Sequence, residues 1–183
     1  MSKNKLMMTI FVASEAFFFI ALIISYVFYS HAGGRLSASA KYLDVPKTAV
    51  FTVMLLASSL TIEVANRKLK KNQRKSMLWW LGASVVLGLI FLIGQGLEYE
   101  TLISEHITVS KNLFGSAFFT LTGFHGFHVL IGLIVLTIIG GLIRSGAYMK
   151  VEYDTLNTAT VYWHFVDAVW VVVFSVVYIG SLI

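Results

Sequence analysis

One stretch decides the fold most clearly: FGSAFFTLTGFHGFHVLIGLIVLTIIGGL, residues 114–142. It contains no Asp, Glu, Lys or Arg and is longer than the about 20 residues that a helix needs to cross the hydrocarbon core of a bilayer. In hydrocarbon, every backbone N–H and C=O must find its partner inside the protein, which a helix achieves within one segment. The stretch therefore predicts a transmembrane helix, one long enough to tilt or to project from the bilayer.

Four further segments have the length and apolar character of a membrane-spanning helix. They lie at about residues 6–29, 48–66, 77–97 and 158–182. The polar connectors that separate the five segments cover residues 30–47, 67–76, 98–113 and 143–157. None of these connectors is long enough for a soluble domain. We therefore predict an all-α integral membrane protein, with residues 1–183 forming a single domain, a bundle of five transmembrane helices.

The composition agrees with this class. Hydrophobic residues make up 57% of the 183 residues and charged residues 13%, against about 45–50% and 25% in soluble domains. Cysteine is absent, which excludes disulfides and thiolate metal sites. The single proline, Pro46, lies in a connector, so no span is expected to carry a proline kink. The first apolar run exceeds the roughly 7–15 apolar residues of a signal peptide, and we expect a retained helix.

The basic residues predict the orientation, because Lys and Arg are enriched in cytoplasmic connectors. The side that carries the N-terminus holds Lys3, Lys5, Arg67, Lys68, Lys70, Lys71, Arg74, Lys75, Arg144 and Lys150. The opposite side holds fewer: Arg35, Lys41, Lys47 and Lys111. We therefore predict the N-terminus inside and the C-terminus outside. The net charge of +5 is then a property of connectors near anionic headgroups, and no nucleic-acid partner is expected.

Several ionisable or amide side chains fall inside the predicted spans or at their ends; within a span, a charge costs about 2.5–3.5 kcal/mol or more. They are Glu15, Glu63, Gln95, Glu98, His125, His128, His164 and Asp167. Glu63 and Glu98 lie near span ends and are expected to reach headgroups or water. Glu15 lies deep in the first span, so we expect it to be protonated or hydrogen-bonded, because burial disfavours the charged carboxylate.

The histidines and the aspartate occur in two pairs with three-residue spacing. His125 and His128 share one helical face, as do His164 and Asp167. The fourth and fifth spans are expected to be antiparallel neighbours, which would place His128 and Asp167 at similar depth and allow them to pair. On the fourth span, Gly115, Gly123 and Gly126 favour close helix packing.

Three interpretations of this cluster remain open at this point. It could be a hydrogen-bonding network that fixes helix packing, a metal or haem site, or a proton relay that includes Glu15 and Glu98. A metal site is weakened by the scarcity of histidine and by the absence of an E-x-x-H pair inside a span. The tryptophans are interpreted as anchors at the membrane–water interface. They are Trp79, Trp80, Trp163 and Trp170.

The motifs together resemble a known family. SAFFTLTGFHGFHVLIG (116–132) and VYWHFVDAVWVVVFSVVYI (161–179) look like the last two helices of the third subunit of haem–copper terminal oxidases, which include cytochrome c and quinol oxidases. SEAFFF (14–19) is similar to that family's acid-bearing helix, and FLIGQGLEYE (91–100) to its Gln-x-x-Glu motif. Five spans fit the bacterial form that lacks the first two helices of the seven-helix members. Glu63 matches no family motif and is assigned no role.

The resemblance implies a subunit without redox centres, in which no residue is catalytic and none binds a metal. Haems and copper are expected in partner subunits I and II, and a subunit IV or a larger respiratory supercomplex is a further possible partner. The family's third subunit packs beside subunit I, holds phospholipid, supports proton uptake and protects the complex during turnover. The implied location is the bacterial inner membrane, with several passes.

Carried onto this sequence, the resemblance assigns roles to particular residues. Glu15 corresponds to the family's buried carboxyl near the lipid cleft and proton uptake, and Arg144 to a ligand of lipid phosphate. The motif pair is Gln95 and Glu98. The interhelical polar network comprises His125, His128, His164 and Asp167.

Three other functions stay open beside this one. The first is the third subunit of a quinol oxidase. The second is a small membrane metallo- or haem protein that uses the His/Asp cluster. The third is a proton-coupled transporter built around Glu15, for which five spans offer no inverted repeat.

Overall fold

A computed structural model describes residues 3–32, 43–110, 113–146 and 152–180 of the chain. Its five α-helices are α1 (Lys3–Ala32), α2 (Val45–Lys70), α3 (Arg74–Ser104), α4 (Leu113–Arg144) and α5 (Glu152–Phe174), and a π-helical turn (Ser175–Ile179) follows α5. All five are long and apolar enough to cross a membrane. The described ranges contain no β-strand, and the prediction of five membrane-spanning helices is confirmed.

The last four helices form a ring, and α1 lies outside it. Each of α2, α3, α4 and α5 packs against the next, and α2 closes the ring by packing against α5. The predicted contact between the fourth and fifth spans is therefore present. Helix α1 packs on α4 and α5, and among its described side chains only Phe19 and Tyr26 are buried. The bundle is thus a four-helix ring with one peripheral helix.

The connector predicted over residues 67–76 is almost entirely helical. Only residues 71–73 separate α2 from α3, and Asn72 takes a left-handed conformation with φ of 56°. Its backbone N–H donates to the carbonyl of Leu69 at 2.9 Å, and that of Gln73 donates to Lys68 at 3.0 Å. Asparagine tolerates this conformation better than most residues, so the chain reverses in one tight turn and α2 and α3 become close neighbours.

The start of α2 is set by local hydrogen bonding. Asp44 is the N-cap, and its Oδ1 accepts from the backbone N–H of Lys47 at 3.0 Å. Pro46 lies in the first turn, where the backbone N–H that proline lacks would have no helical partner. The expectation that Pro46 kinks no span agrees with this position.

Two tryptophans of α5 form the centre of the ring, and their predicted place at the membrane–water interface is wrong. Trp163 and Trp170 are buried, because each indole N–H finds a hydroxyl acceptor on α2. Trp163 Nε1 donates to Ser58 Oγ at 2.8 Å, and Trp170 Nε1 donates to Thr52 Oγ1 at 2.9 Å. Trp79, by contrast, is 83% exposed, as expected of a surface anchor.

Glycines on α3 and α4 allow these helices to pack closely against the indole ring of Trp163. A Cβ on Gly132 would lie 2.7 Å from the ring of Trp163, and one on Gly88 would lie 2.9 Å from the same ring. Two of the three glycines predicted to favour close packing also lie in tight places: a Cβ on Gly115 would approach the Thr108 carbonyl oxygen at 2.6 Å, and one on Gly126 would approach Gln95 Oε1 at 2.9 Å.

The third predicted glycine, Gly123, is less constrained. A Cβ there would meet Tyr99 Oη at 3.7 Å, an ordinary van der Waals distance, so close packing does not require a glycine at this position.

Candidate functional site

The carboxyl of Glu15 on α1 meets the imidazole of His128 on α4. Glu15 Oε2 lies 3.1 Å from His128 Nε2. The other ring nitrogen, Nδ1, lies 2.7 Å from the backbone oxygen of Phe124. Because a carbonyl oxygen only accepts, Nδ1 must carry a hydrogen and donate it. The ring is therefore oriented by its own helix and presents Nε2 to α1.

This geometry leaves one proton to be shared between Oε2 and Nε2. In one form, a protonated Glu15 donates to a neutral imidazole; in the other, an imidazolium donates to a carboxylate. The pair is neutral overall in both forms, which is the condition for keeping two ionisable groups in hydrocarbon without a large desolvation penalty. The arrangement can hold a proton, and it can move it between two atoms without changing the net charge of the pair.

The surroundings hold the pair in place while leaving it partly accessible. The ring of Phe19 packs edge-on against His128 at 5.0 Å between centroids, and Tyr162 Oη donates to the backbone oxygen of His128 at 3.0 Å. The His128 side chain is 11% exposed and that of Glu15 is 23% exposed. The pair is thus at the edge of the bundle rather than in its core.

A cleft of about 520 Å³ opens beside this pair. It lies between α1, α4 and α5, and its walls are mostly apolar. The lining residues are Met7, Met8, Phe11, His128, Ile131, Gly132, Val135, Ile139, Thr155, Thr158, Ala159 and Tyr162. Its volume falls in the range of roughly 300–1,000 Å³ typical of small-molecule sites. An apolar cleft at a bundle edge, with one imidazole in its wall, suits an elongated apolar ligand.

His125 occupies a different environment from His128. It is completely buried and stacks on Trp170, with ring centroids 4.8 Å apart and planes inclined by 28°. Phe91 packs against it edge-on at 6.0 Å. The described part of the chain provides no hydrogen-bond partner for either ring nitrogen. His125 therefore contributes through ring packing rather than through a hydrogen-bonded network.

Asp167 and His164 are joined through a serine that the sequence analysis did not single out. The hydroxyl of Ser59 on α2 donates to Asp167 Oδ2, and its oxygen lies 2.9 Å from His164 Nδ1. Asp167 is buried, whereas His164 is exposed on the outside of the bundle. These contacts connect α2 to α5.

The predicted pairing of His128 with Asp167 is wrong. His128 bonds to Glu15, and Asp167 bonds to Ser59. The reason is that different positions on α5 point in different directions around the helix axis. Tyr162 faces α4, whereas Asp167 faces α2. The four residues predicted to form a single network therefore occupy three separate places.

Gln95 lies in a small network between α3 and α4. Its Nε2 donates to the backbone oxygen of Thr122 at 2.8 Å and to Tyr99 Oη at 3.2 Å. The Thr122 hydroxyl donates to its own helix, at the Phe118 oxygen, so Tyr99 must donate in the 2.7 Å contact with Thr122 Oγ1. This network fixes the rotation of α3 against α4.

Glu98 is buried, and the expectation that it reaches headgroups or water is wrong. Thr48 Oγ1 donates to Oε1 at 3.1 Å, and Tyr178 Oη donates to Oε2 at 2.6 Å. These two donors come from α2 and from the π-helical turn, and they compensate the carboxyl for lost hydration. Glu63 does lie near the surface, where its side chain is 41% exposed and pairs with Arg67 at 3.1 Å.

The polar partners that the sequence analysis missed are mostly hydroxyls. They are Thr48, Ser59, Tyr99, Thr122 and Tyr178. A signal was present on α2, where Thr52, Ser59 and Asn66 recur every seven residues and so share one helical face. Small polar residues on one face of an apolar helix are typical of membrane helix contacts.

Comparison with known proteins identifies the family. The family described as cytochrome c oxidase subunit III matches residues 2–182. The chain belongs to this family. Among its relatives, the cytochrome c oxidase subunit 3 of Corynebacterium diphtheriae is 32% identical over 92% of this chain and 84% of its own length. The Synechocystis sp. protein of the same name is 32% identical over 93% of this chain and 72% of its own length.

A fungal relative is similar to the same extent. The cytochrome c oxidase subunit 3 of Trichophyton rubrum is 34% identical over 92% of this chain and 64% of its own length. Membership of the subunit III family, together with five helices able to span a membrane, makes the chain a multi-pass membrane protein. As a subunit III it is part of a multi-subunit oxidase complex.

Two further features of this subunit III bear on ligands. Arg144 is the last residue of α4 and is exposed. Among the cleft-lining residues of α4, Ile139 lies nearest to this end of the helix. Among the side chains that the structure describes, no three from His, Asp and Glu are grouped so as to hold a metal ion. The described histidines of the spans face different neighbours: His125 contacts Trp170, His128 contacts Glu15 and His164 contacts Ser59.

Proposed function

We propose that this chain is the non-redox subunit III of an aerobic haem–copper oxidase that takes electrons from cytochrome c. In this proposal the haems and copper are held by subunits I and II, and subunit III packs beside subunit I. The observation that carries the proposal is the family match over residues 2–182. The relatives described above are named for cytochrome c rather than for quinol, which favours cytochrome c as the electron donor.

The Glu15–His128 pair supports a role in proton uptake. It holds one mobile proton between two atoms 3.1 Å apart and is partly accessible from the bundle edge. We propose that the pair tunes delivery of protons to the oxidase, with Glu15 as the carboxyl that gains and releases the proton.

The cleft between α1, α4 and α5 supports a role in phospholipid binding. Its apolar walls suit acyl chains, and Arg144 lies at one end of α4, where an interfacial phosphate would be within the reach of a long basic side chain. A phosphate contact by arginine is charge-assisted and directional. We propose that Arg144 binds the headgroup of a lipid whose chains enter the cleft.

The remaining polar residues are proposed to fix the packing that these roles require. Gln95 and Glu98 join α3 to α4, α2 and the π-helical turn. Asp167 and His164 join α5 to α2 through Ser59. His125 fills the space between these contacts by stacking on Trp170. This subunit-wide packing is proposed to protect the complex during turnover.

Orientation and location complete the proposal. The excess of Lys and Arg in the connectors on the N-terminal side supports an inside N-terminus and an outside C-terminus. Two of the relatives come from bacteria, which supports the bacterial inner membrane as the location. The orientation is checked by substituting Lys41 or Lys71 with cysteine and adding a thiol reagent that does not cross the membrane. Lys41→Cys should be labelled from outside, and Lys71→Cys should not.

The test of the main proposal is purification of the tagged chain from its native membranes in mild detergent, with mass spectrometry of the proteins that accompany it. The expected result is recovery of a haem-bearing subunit I and a subunit II. A copper-bearing subunit II supports cytochrome c as the donor, whereas a subunit II without copper indicates a quinol oxidase. Recovery of the chain alone, with visible absorption of its own, would contradict the proposal and favour a metallo- or haem protein.

A further inference from the structure

His164 lies near the middle of the membrane but on the outside of the bundle. The fifth span runs from Asp154 to Ile179, so His164 is about 15 Å along the helix axis from its start, within a hydrocarbon core about 30 Å thick. Its side chain is exposed, although Asp167, one turn away, is buried. Ionisable residues at this depth almost always face protein or a water-filled cavity. The position therefore calls for a protein neighbour.

The hydrogen bonds around Ser59 show what chemistry His164 presents outward. A serine hydroxyl has one hydrogen, and with Asp167 as the carboxylate Ser59 donates it to Oδ2. The 2.9 Å contact between Ser59 Oγ and His164 Nδ1 must then use the N–H of Nδ1. In the neutral imidazole, Nε2 is consequently a bare acceptor. The described part of the chain supplies no donor to it.

Three other exposed polar side chains in the spans already have a hydrogen-bond partner within their own helix. The hydroxyls of Ser14, Ser25 and Thr137 each donate to a carbonyl of their own helix, at 2.7, 2.8 and 2.7 Å. Such back-bonding satisfies a hydroxyl within a lipid-facing helix. An imidazole has no equivalent arrangement for Nε2 once Nδ1 is engaged. His164 is thus distinguished by an outward acceptor that its own helix cannot satisfy.

The surface around His164 can accommodate another helix. We define the α2/α5 seam as Leu56 and Ser59 on α2 together with Val161, His164 and Ala168 on α5, which lie within one turn of the central contact. Leu56 is 39% exposed and Val161 is 42% exposed, and Ser59 and Ala168 are small. Small residues beside a polar group are the usual composition of contacts between membrane helices.

We propose that the α2/α5 seam is the docking surface for a transmembrane helix of a partner subunit, which presents a side-chain hydrogen-bond donor to Nε2 of His164. Hydroxyl and amide groups are donors that membrane helices carry at low cost. A lipid acyl chain has no donor at this depth, so lipid would leave Nε2 unsatisfied. The inference rests on the proposed function in taking the partner to be another subunit of the oxidase.

Site-specific photo-cross-linking tests the surface. A photoreactive amino acid is placed at Leu56 or Val161 in the seam, and at Val86 of α3 or Ile138 of α4 as controls with 56% and 55% exposure. The seam positions are expected to capture an oxidase subunit at least about fivefold more efficiently than the controls do. Capture of that subunit from the controls but not from the seam would overturn the inference while leaving the proposed function intact.

Two further outcomes are informative. Capture of a second copy of this chain from the seam would also overturn the inference, because the partner would be the chain itself. If no position captures an oxidase subunit and none co-purifies with the chain, the proposed function fails and the inference fails with it.

Variants at His164 test the hydrogen bond itself. His164→Leu removes the acceptor, whereas His164→Gln keeps an acceptor oxygen at similar reach. We expect His164→Leu to reduce the fraction of chain that co-purifies with its partner about threefold to tenfold, the range expected for losing one interhelical hydrogen bond in a membrane. His164→Gln should restore most of it. Thr137→Val, which removes an exposed hydroxyl on α4, should change nothing.

Abundance in the membrane separates docking from folding. The contact between His164 and Ser59 is lost in the leucine variant, so the amount of each variant chain in the membrane is measured alongside co-purification. Unchanged abundance with lost co-purification supports the docking role. An equal fall in both quantities, with no rescue by His164→Gln, would overturn it and make His164 a residue of the chain's own packing.

Discussion

The carboxyl of Glu15 bonds to His128 Nε2 at 3.1 Å and thereby joins the peripheral helix α1 to the ring formed by the other four. Helix α1 otherwise packs through apolar side chains, of which Phe19 and Tyr26 are the buried ones in the described range. Phe11 and Phe18 contact the rings of Tyr162 and Phe124. This single polar contact joins α1 to α4, and its geometry allows it to hold one proton. Substitutions can separate these two properties.

Glu15→Gln should keep α1 in place but abolish proton exchange. The Gln amide can donate to Nε2 in the geometry that a protonated Glu15 uses, but it cannot release a proton. We expect normal amounts of subunit III in the purified complex, together with slower proton uptake and faster inactivation during turnover. Stopped-flow measurement of proton uptake and the decay of oxygen consumption check this. Loss of the subunit from the complex would instead show that the carboxyl is structural.

Glu15→Leu is the matched control for that variant. It removes both the proton and the hydrogen bond, leaving Nε2 of His128 without a partner, at a cost of about 1–3 kcal/mol. We expect reduced retention of subunit III in this variant only. Equal retention in both variants would mean that the apolar contacts of α1 suffice to position it.

Gly132→Ala should destabilise the ring, because the added Cβ would lie 2.7 Å from the Trp163 ring. Overpacking of this kind costs about 1–3 kcal/mol. The control is Gly141→Ala in the same helix, where a Cβ would meet no atom within 4 Å and should be neutral or slightly stabilising. Unfolding in mixed detergent micelles measures both. Equal stability of the two variants would show that Trp163 can move aside at little cost.

Tyr178→Phe should weaken the contact between the π-helical turn and α3. It removes the donor that lies 2.6 Å from Glu98 Oε2, and an unsatisfied buried acceptor costs about 1–3 kcal/mol. In the double variant with Glu98→Leu, the additional effect of Tyr178→Phe should largely disappear, because residues in contact are not additive. Tyr29→Phe, at an exposed position on α1, serves as the control. If the effects of Tyr178→Phe and Glu98→Leu were fully additive, the contact between these two residues would be contradicted.

Asp167→Ala should impair assembly without impairing oxygen chemistry. Ser59 loses its acceptor and α2 is held less firmly against α5, so we expect less assembled complex but normal oxygen reduction per complex that does assemble. Asp154→Ala, at an exposed position near the start of α5, should leave assembly unchanged. A complex of normal composition that no longer transfers electrons to oxygen would contradict the proposal of a non-redox subunit.

The five helices were predictable because their physical cause is local. A run of about 20 apolar residues is long enough to span hydrocarbon, and backbone hydrogen bonding there leaves the helix as the only form for a single segment. The helix ends were less predictable: α2 and α3 continue through basic residues to a turn at residues 71–73. Lys and Arg are good helix formers. The basic residues there therefore indicate where the span leaves the hydrocarbon core, and the helix itself continues beyond that point.

The candidate residues were predictable as a set but not in their pairing. An ionisable residue in an apolar span stands out by its cost alone, and this identified Glu15, His128 and Asp167. Hydropathy carries no information on which helices are neighbours or how each is rotated. The pairing of His128 with Asp167 was inferred from depth alone, and rotation of α5 placed Asp167 against α2 instead.

The sequence by itself therefore determined the environment, the number of spans, the family motifs and the list of polar residues that require compensation, because each depends on composition within one segment. The tertiary structure decided the partners. It buried Trp163 and Glu98 that the sequence suggested were near the surface, placed Glu15 against His128 and left His164 facing outward. These outcomes depend on side chains from distant segments of the chain. Such side chains come into contact, and can form hydrogen bonds, only once the helices have packed.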